Sequence, residues 1–365
     1  MEHEGSQTKY SKLIEYIKEQ ILTGQIRPGD QISSENALVE KLSISRHTVR
    51  KAISMLVNEG YLYAEHGRGT YCKDRNLHRK NSKNIGVMTT YISEYIFPRV
   101  IQGVDSVLSA KVYSIVLKNT DNDTAKEAAY LEDMIGKDIA GLIIEPTKSA
   151  LFSNNIKLYN ALDNNYIPYV FIHGYYQQIE PKPQVILDDT EGMYMVVKYL
   201  AGLGHKNIVG IFKADDVQGI NRHKGYAKAL SECGILYNPD NVIWFHTGDR
   251  DTKPVSALSD MLSRGMNIDA IACYNDQVAF SIYQMLVESG RRIPEDISLT
   301  GFDDSYLSVN CPVKFTTVSH PKEKLGEAAA ELLLDMISNR DYLKNPVKKI
   351  IKPELIIRDS CKAKP

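Results

Sequence analysis

From Asn84 onward, short apolar runs alternate with longer amphipathic stretches, and this alternation constrains the fold more than any other feature of the chain. The runs IGVMTT, VYSIVLK, GLIIEPT, YVFIH, NIVGIF, AIACYND and SLTGFDD are largely apolar, without strict polar alternation. Strands covered on both faces of a sheet show that pattern, and the helices between them supply the cover. The order strand, helix, strand predicts doubly wound parallel sheets, and about 280 residues of it favour two lobes over one. Ligands of such sheets sit outside the carboxyl ends of the strands, where several of these runs finish in polar residues.

The segment before it follows another period. Leu13, Ile14, Ile17 and Ile21 recur at helical spacing, and RPGD (27–30) breaks that helix off. Ser34 can cap a second helix carrying Ala37, Leu38 and Leu42, and Ser45 a third with Val49, Ala52, Ile53 and Leu56 on one stripe. Tyr61–Ala64 and Thr70–Cys72 flank Gly-Arg-Gly and read as a hairpin. KDRNLHRKNSK then has charge and no period, so it reads as a linker. The expected division is therefore a small domain over 1–72, a linker over 73–83 and a large α/β domain over 84–365.

Charge placement gives the small domain a purpose. The whole chain carries −1, but residues 1–80 hold 13 Lys and Arg against 10 Asp and Glu, leaving 31 against 35 behind them. With the apolar stripe of the third helix inward, Arg46, His47, Arg50 and Lys51 are pushed to its other faces. Such a helix in a DNA major groove sets its early residues against base edges, where Arg bonds guanine through two nitrogens. Ser45, Thr48 and the helix's first N–H groups suit phosphate oxygens, as do Lys9 and Tyr10 before the first helix. The cationic tip His66-Gly67-Arg68-Gly69 suits a neighbouring minor groove. A solvated cationic face is the plain alternative for a single basic helix, less so for a capped helix with a basic hairpin behind it.

GDQISSENALVEKLSISRHTVRKAISMLVNEGYLYAEHGRGTYC resembles the winged helix-turn-helix domain of GntR-family transcription regulators, over about the first 75 residues. Ser33 stands where many members have proline. The resemblance implies operator DNA as a partner, with Glu35 joining the residues already named at the interface.

Composition bounds the rest. With 43% apolar and 24% charged residues the chain reads as globular, and no stretch approaches the roughly 18 uninterrupted apolar residues of a membrane span. MEHEGSQTKYSK has neither an apolar core nor a small-residue cleavage site, so export is not expected. Five scattered cysteines without a CxxC pair point to a reducing cytoplasm and to neither disulfides nor a metal cluster.

In the large domain, strand endings deliver Glu145, His173, Asn275-Asp276 and Asp303-Asp304, and a loop delivers Arg222 at a helix start. Tyr175 and Tyr176 follow His173 closely. Carboxylates and amides pair with adjacent hydroxyls, Arg donates in a fork and an aromatic face packs on C–H groups, so this set suits a small polyhydroxylated ligand. Plainer roles stand beside each. Asp276 and Asp304 can cap helices, His205 can bond local backbone, His173 can be a satisfied core histidine, and Arg222 can pair with Asp215, Asp216 or a strand-end carboxylate. Glu145 with Asp303 also leaves a glycoside hydrolase open, although GxSxG, GxxxxGK[ST] and HExxH are absent. Thr120–Asp123 lacks the glycine of a calcium loop and reads as a solvated connection.

RHKGY, YNDQVAF, RIPEDISLTGFDD and LGHKNI resemble the effector-binding domain of LacI-family repressors, related in fold to periplasmic sugar-binding proteins, over residues 83–359. The resemblance implies a two-lobed domain of periplasmic-binding-protein type I and no enzyme activity. It places effector contacts on Glu145, His173, Arg222, Asn275 and Asp303, with Tyr91, Tyr95 and Phe97 of the first strand-to-helix loop as neighbours and Tyr175 nearby. His173 stands where the family often has aspartate. A GntR-type head on a LacI-type body is similar to repressors of arabinose operons. That pairing implies a cytoplasmic homodimer on a palindromic site, L-arabinose as effector and no cofactor, with another pentose, a hexose or a purine as alternatives. A transport binding protein would share the body but has no use for a basic head.

Overall fold

The computed structural model describes residues 9–22, 24–73, 81–93, 95–179, 181–339 and 345–364. Most of the expected linker, 74–80, and the side chain of Lys9 lie outside the described residues. Contacts divide the chain into two compact units. The first holds the described residues up to Gly86 with 128–142 and 154–168, and the second holds 87–127, 143–153 and the rest from Tyr169.

Three helices open the chain: α1 (Lys9–Leu22), α2 (Glu35–Leu42) and α3 (Arg46–Asn58). Ser34 and Ser45, both extended, accept the N–H groups of Ala37 and Thr48 at 3.3 and 3.1 Å, satisfying first-turn donors as the sequence predicts. Ser43 in the left-handed region turns the chain between α2 and α3. Leu13, Ile17, Leu38, Val49, Ala52 and Leu56 form a common core, each larger side chain stabilising it by about 1.5–3 kcal/mol. The hairpin pairs β1 (Leu62–Glu65) with β2 (Gly69–Cys72), and the rings of Tyr63 and Tyr71 stack across it at 5.6 Å. Its edges fall within one residue of expectation.

The α/β part continues as β3 (Asn84–Thr89), α4 (Phe97–Ala110), β4 (Ser114–Asn119), α5 (Thr124–Gly136), β5 (Gly141–Ile144), α6 (Ile156–Asn164), β6 (Tyr169–Ile172) and β7 (Gln184–Leu187). Then come α7 (Asp189–Gly202), β8 (Ile208–Lys213), α8 (Val217–Glu232), β9 (Val242–Phe245), α9 (Lys253–Ser263), β10 (Ala270–Cys273), α10 (Asp276–Glu288) and β11 (Ser298–Thr300). The chain closes with α11 (Tyr306–Asn310), β12 (Thr317–Val318), α12 (Lys322–Ser338), β13 (Lys348–Ile351) and β14 (Leu355–Ile356). One sheet has the order β13-β7-β6-β5-β3-β4 and another β11-β10-β8-β9. β7 runs parallel to β6 and β13, β8 to β9 and β10, and β10 to β11. All seven expected strands are present.

The smaller sheet shows why its runs are apolar throughout. Val209, Ile211, Ile271 and Cys273 pack on Leu258, Ile282 and Leu286 of α9 and α10. The alternate residues Ile208, Phe212, Ala270 and Ala272 pack on Val196, Leu200 and Leu230 of α7 and α8. Both faces are covered, so the sheet is doubly wound. Glycines bring helices together without side chains between them: a Cβ on Gly225 of α8 would stand 2.1 Å from Thr190 O of α7, and one on Gly103 of α4 2.1 Å from Glu323 O of α12. No helix among the described residues is long and apolar enough to cross a membrane.

Candidate functional site

In the head, Arg46, His47, Arg50 and Lys51 of α3 are exposed, opposite the buried Val49, Ala52 and Leu56. Glu35 ties two of them together. Its Oε2 accepts from Nε of Arg46 at 3.2 Å and Nε of Arg50 at 2.9 Å. Burial would raise the Glu35 carboxyl, but the hydrogen bonds and charges of both arginines outweigh it and hold it below its ordinary value. Each arginine meets Glu35 through Nε, which leaves the Nη groups outside this pairing. Lys51 Nζ lies over the Tyr10 ring at 4.6 Å. The Ser45 and Thr48 hydroxyls lie 2.8 Å apart, and the Ser45 oxygen also accepts the Thr48 N–H in its cap.

At the wing tip, His66, Gly67, Arg68 and Gly69 are exposed, with Gly67 at φ 75° and Gly69 at φ 129°. Only glycine adopts the second without strain. The Arg68 carbonyl accepts from Gln31 Nε2 at 2.9 Å and from the Tyr71 hydroxyl at 3.3 Å. Gln31, which sequence reasoning passed over, therefore holds the wing in place.

The second site is a cavity of about 310 Å³ in the other compact unit. Its wall is built from carboxyl strand ends of both sheets: Thr90 and Tyr91 after β3, Asn122 after β4, Glu145 after β5, Lys213 and Asp216 at and after β8, Tyr274 and Asn275 after β10, and Asp303 after β11. Tyr95, Phe97, Phe245 and Phe280 give it aromatic faces. Four non-glycine residues here, Tyr95, Asn122, His173 and Asp303, take positive φ of 60, 54, 62 and 92°. Backbone strain of this kind persists only where surrounding bonds impose it.

Glu145 shows such bonds. Its Oε2 accepts from the Thr90 N–H at 2.8 Å and the Thr90 hydroxyl at 2.7 Å, and its Oε1 lies 3.0 Å from His173 Nδ1. Burial would raise this carboxyl, but the bonds from His173 and Thr90 prevail and hold it below its ordinary value. An ionised acceptor requires the proton of His173 on Nδ1. The His173 ring, 2% exposed, stands behind the wall between Phe97 and His320.

Arg222 is 1% exposed and also stands behind the wall, between the rings of Tyr274 and Phe302. It donates to Asp189 Oδ1 at 2.8 Å, Tyr274 O at 2.5 Å and Asp303 Oδ1 at 3.2 Å. One guanidinium thus serves two buried carboxylates. Desolvation outweighs its help to Asp189, whose carboxyl is pushed up to about 7. The strand-end partner was anticipated, whereas Asp215 and Asp216 pair with Lys213 instead.

Several expectations need correction. Asn275, not Asp276, caps α10, its Oδ1 accepting from Val278 N at 2.9 Å. Asp276 accepts instead from Ser305 N and the Thr317 hydroxyl, both at 2.7 Å, and burial pushes its carboxyl up to about 7. Ser305 caps α11, while Asp304 pairs with Arg358 at 2.6 Å. His205 bonds the Ser298 hydroxyl rather than local backbone, because β11 passes beside its turn. The 120–123 connection is not simply solvated: Asn122 is buried and its Nδ2 donates to the Thr247 hydroxyl at 2.6 Å. Tyr175 does not line the cavity, and its ring lies under Lys348 Nζ at 5.1 Å.

The model for bacterial regulatory proteins of the gntR family matches residues 9–72, and that for the periplasmic binding protein-like domain matches 197–361. An arabinose metabolism transcriptional repressor from Halalkalibacterium halodurans is 41% identical, covering 97% of this chain and 96% of its own. The chain belongs to the arabinose metabolism transcriptional repressor family. A second member of that description, from Geobacillus stearothermophilus, is 38% identical and covers 97% of this chain and 98% of its own. Among solved structures, a LacI family transcriptional regulator from Enterococcus faecalis V583 with bound ribose matches at a TM-score of 0.67 and 25% identity, over 77% of this chain and 100% of that one. Family members are transcriptional regulators and not enzymes, and so is this chain.

Proposed function

We propose that this regulator is a cytoplasmic homodimer that represses sugar-utilisation genes and leaves its palindromic operator when L-arabinose fills the cavity. The observation that carries the reading is the wall itself. Glu145, Asp216, Asp251 and Asp303 stand on it against Lys213 and Arg250, and Lys213 is already paired with Asp216 at 3.2 Å. A phosphorylated ligand would meet net negative charge there, whereas a neutral polyol meets acceptors for its hydroxyls and aromatic faces for its C–H groups. The volume is at the small end of the roughly 300–1,000 Å³ usual for ligand cavities, as a monosaccharide requires. The names of the two full-length relatives supply the choice of arabinose.

In this reading Glu145, Asn275 and Asp303 bond the sugar, Tyr91 and Phe97 pack against it, and Arg222 and His173 position Asp303 and Glu145 from behind. Arg46 and Arg50 read bases, while Lys9, Tyr10, Ser45, Thr48 and Arg68 fix register on phosphates. Residues 1–72 form the head, 73–83 the linker and 84–365 the body that carries the dimer contacts. A half-site read by one head is too short for genomic specificity, and a two-fold pair supplies the rest. Calorimetry against free monosaccharides and purines tests the ligand. Arabinose should bind more tightly than any hexose or purine, and a tighter hexose or purine would replace it in the scheme.

A further inference from the structure

Tyr95 lines the cavity with its hydroxyl bonded to the protein. Its phenol oxygen lies 2.8 Å from Asp303 Oδ2 and 3.0 Å from Phe302 O, and the backbone N–H of Asp276, which also donates to Phe302 O at 3.0 Å, reaches it across 3.2 Å. A hydroxyl has one proton to give and lone pairs to receive, so this phenol donates towards Asp303 and accepts from Asp276. A sugar hydroxyl reaching the same carboxylate would bring the same donor and the same acceptor. The other carboxylate oxygen of Asp303 is held by Arg222 at 3.2 Å. Both oxygens of this wall carboxylate are therefore engaged by the protein itself.

The contact joins loops from different sheets, since Tyr95 follows β3 and Asp303 follows β11. It is also made against backbone preference. Tyr95 at φ 60° and Asp303 at φ 92° both occupy the left-handed region, unfavourable for residues with side chains. Burial first, then the charges of Asp303 and Asp276, push the phenol well above its ordinary range, so it remains a neutral donor.

We propose that the Tyr95 hydroxyl is a tethered competitor of the effector: a sugar hydroxyl that takes this position on Asp303 Oδ2 displaces the phenol, and Tyr95 thereby sets the sugar concentration to which the repressor responds. The inference rests on the reading of the cavity as a sugar site. A competitor built into the chain lowers apparent affinity by the fraction of time the subsite is free.

Tyr95→Phe keeps the ring and removes the competing group. Calorimetry of L-arabinose with full-length wild type and variant, each checked for a cooperative thermal transition, should show the variant binding about fivefold more tightly or better. Equal or weaker binding by the variant, with wild type binding normally, overturns the inference and leaves the sugar reading intact. No binding of any monosaccharide by either protein overturns the sugar reading and the inference with it. A second measurement does not depend on the variant's folding. With fluorotyrosine at position 95, saturating arabinose should shift that residue's fluorine resonance as the ring leaves Asp303, and an unmoved resonance with sugar bound overturns the inference.

Discussion

Arg222 Nη2 reaches Asp303 Oδ1 at 3.2 Å, with both side chains almost wholly buried. The same guanidinium holds Asp189 at 2.8 Å, so its removal takes the bonded cation from two buried carboxylates at once. Breaking a buried ion pair from one side costs about 3–5 kcal/mol. Arg222→Ala should lose stability on that scale in urea unfolding, and should lose the sugar response with it. A loss below about 1 kcal/mol would mean that the two acids are content as neutral neighbours.

The pairing of Arg46 and Arg50 with Glu35 makes the head testable apart from the cavity. Arg46→Ala should weaken specific operator binding by about 1–3 kcal/mol, and relax preference at one base position. Lys51→Ala, away from that pairing, should weaken binding to all sequences alike and flatten its salt dependence. Fluorescence anisotropy with operator and scrambled duplexes at several salt concentrations separates the two. Equal losses on both duplexes for Arg46→Ala would demote it to a phosphate contact.

His320 is buried with neither ring nitrogen bonded to a protein group, beside His173, Lys322 and Arg222. Desolvation, then the charges of those neighbours, hold its pKa well below 6.5. The folded protein thus keeps it neutral while the unfolded chain protonates it. Its contribution is fully present above the unfolded pKa of about 6.5 and is lost as pH falls below it, by up to about 1.4 kcal/mol per pH unit. Unfolding free energies at pH 7.5 and 5.5 should fall more steeply for wild type than for His320→Leu. Parallel slopes would contradict the assignment.

Gly225, in the RHKGY stretch, leaves room for Thr190 O of the neighbouring helix. A methyl group would meet backbone, which cannot swing aside as a side chain can. Gly225→Ala should cost about 1–3 kcal/mol by prising α7 from α8. Gly248→Ala, with nothing within 4 Å of its Cβ, is the control. Similar losses in both variants would place the cost in the backbone rather than in the packing.

Local chemistry made much of this legible. The caps of α2 and α3 need only a serine before a helical stripe, and the glycines of the wing need only a hairpin to turn. Strands covered on both faces announce themselves by unbroken apolar runs. Strands β7 and β13 escaped because one follows prolines and the other carries two lysines at a sheet edge. In and behind the cavity wall, strand ends named Glu145, Asn275 and Asp303, but not Asp189, Asn122 or the hold of Tyr95 on Asp303. Those depend on which loops meet after folding, with Tyr95 and Asp303 separated by 208 positions, and no local spacing encodes that.

The proposed function requires one linkage, that sugar in the body loosen the grip of the head. Its most direct test is operator affinity of the full-length protein, measured by anisotropy with and without saturating L-arabinose at fixed salt. A coupling of about 1–3 kcal/mol predicts weakening by roughly 5–150-fold. Operator affinity that stays constant while calorimetry shows arabinose bound would contradict it.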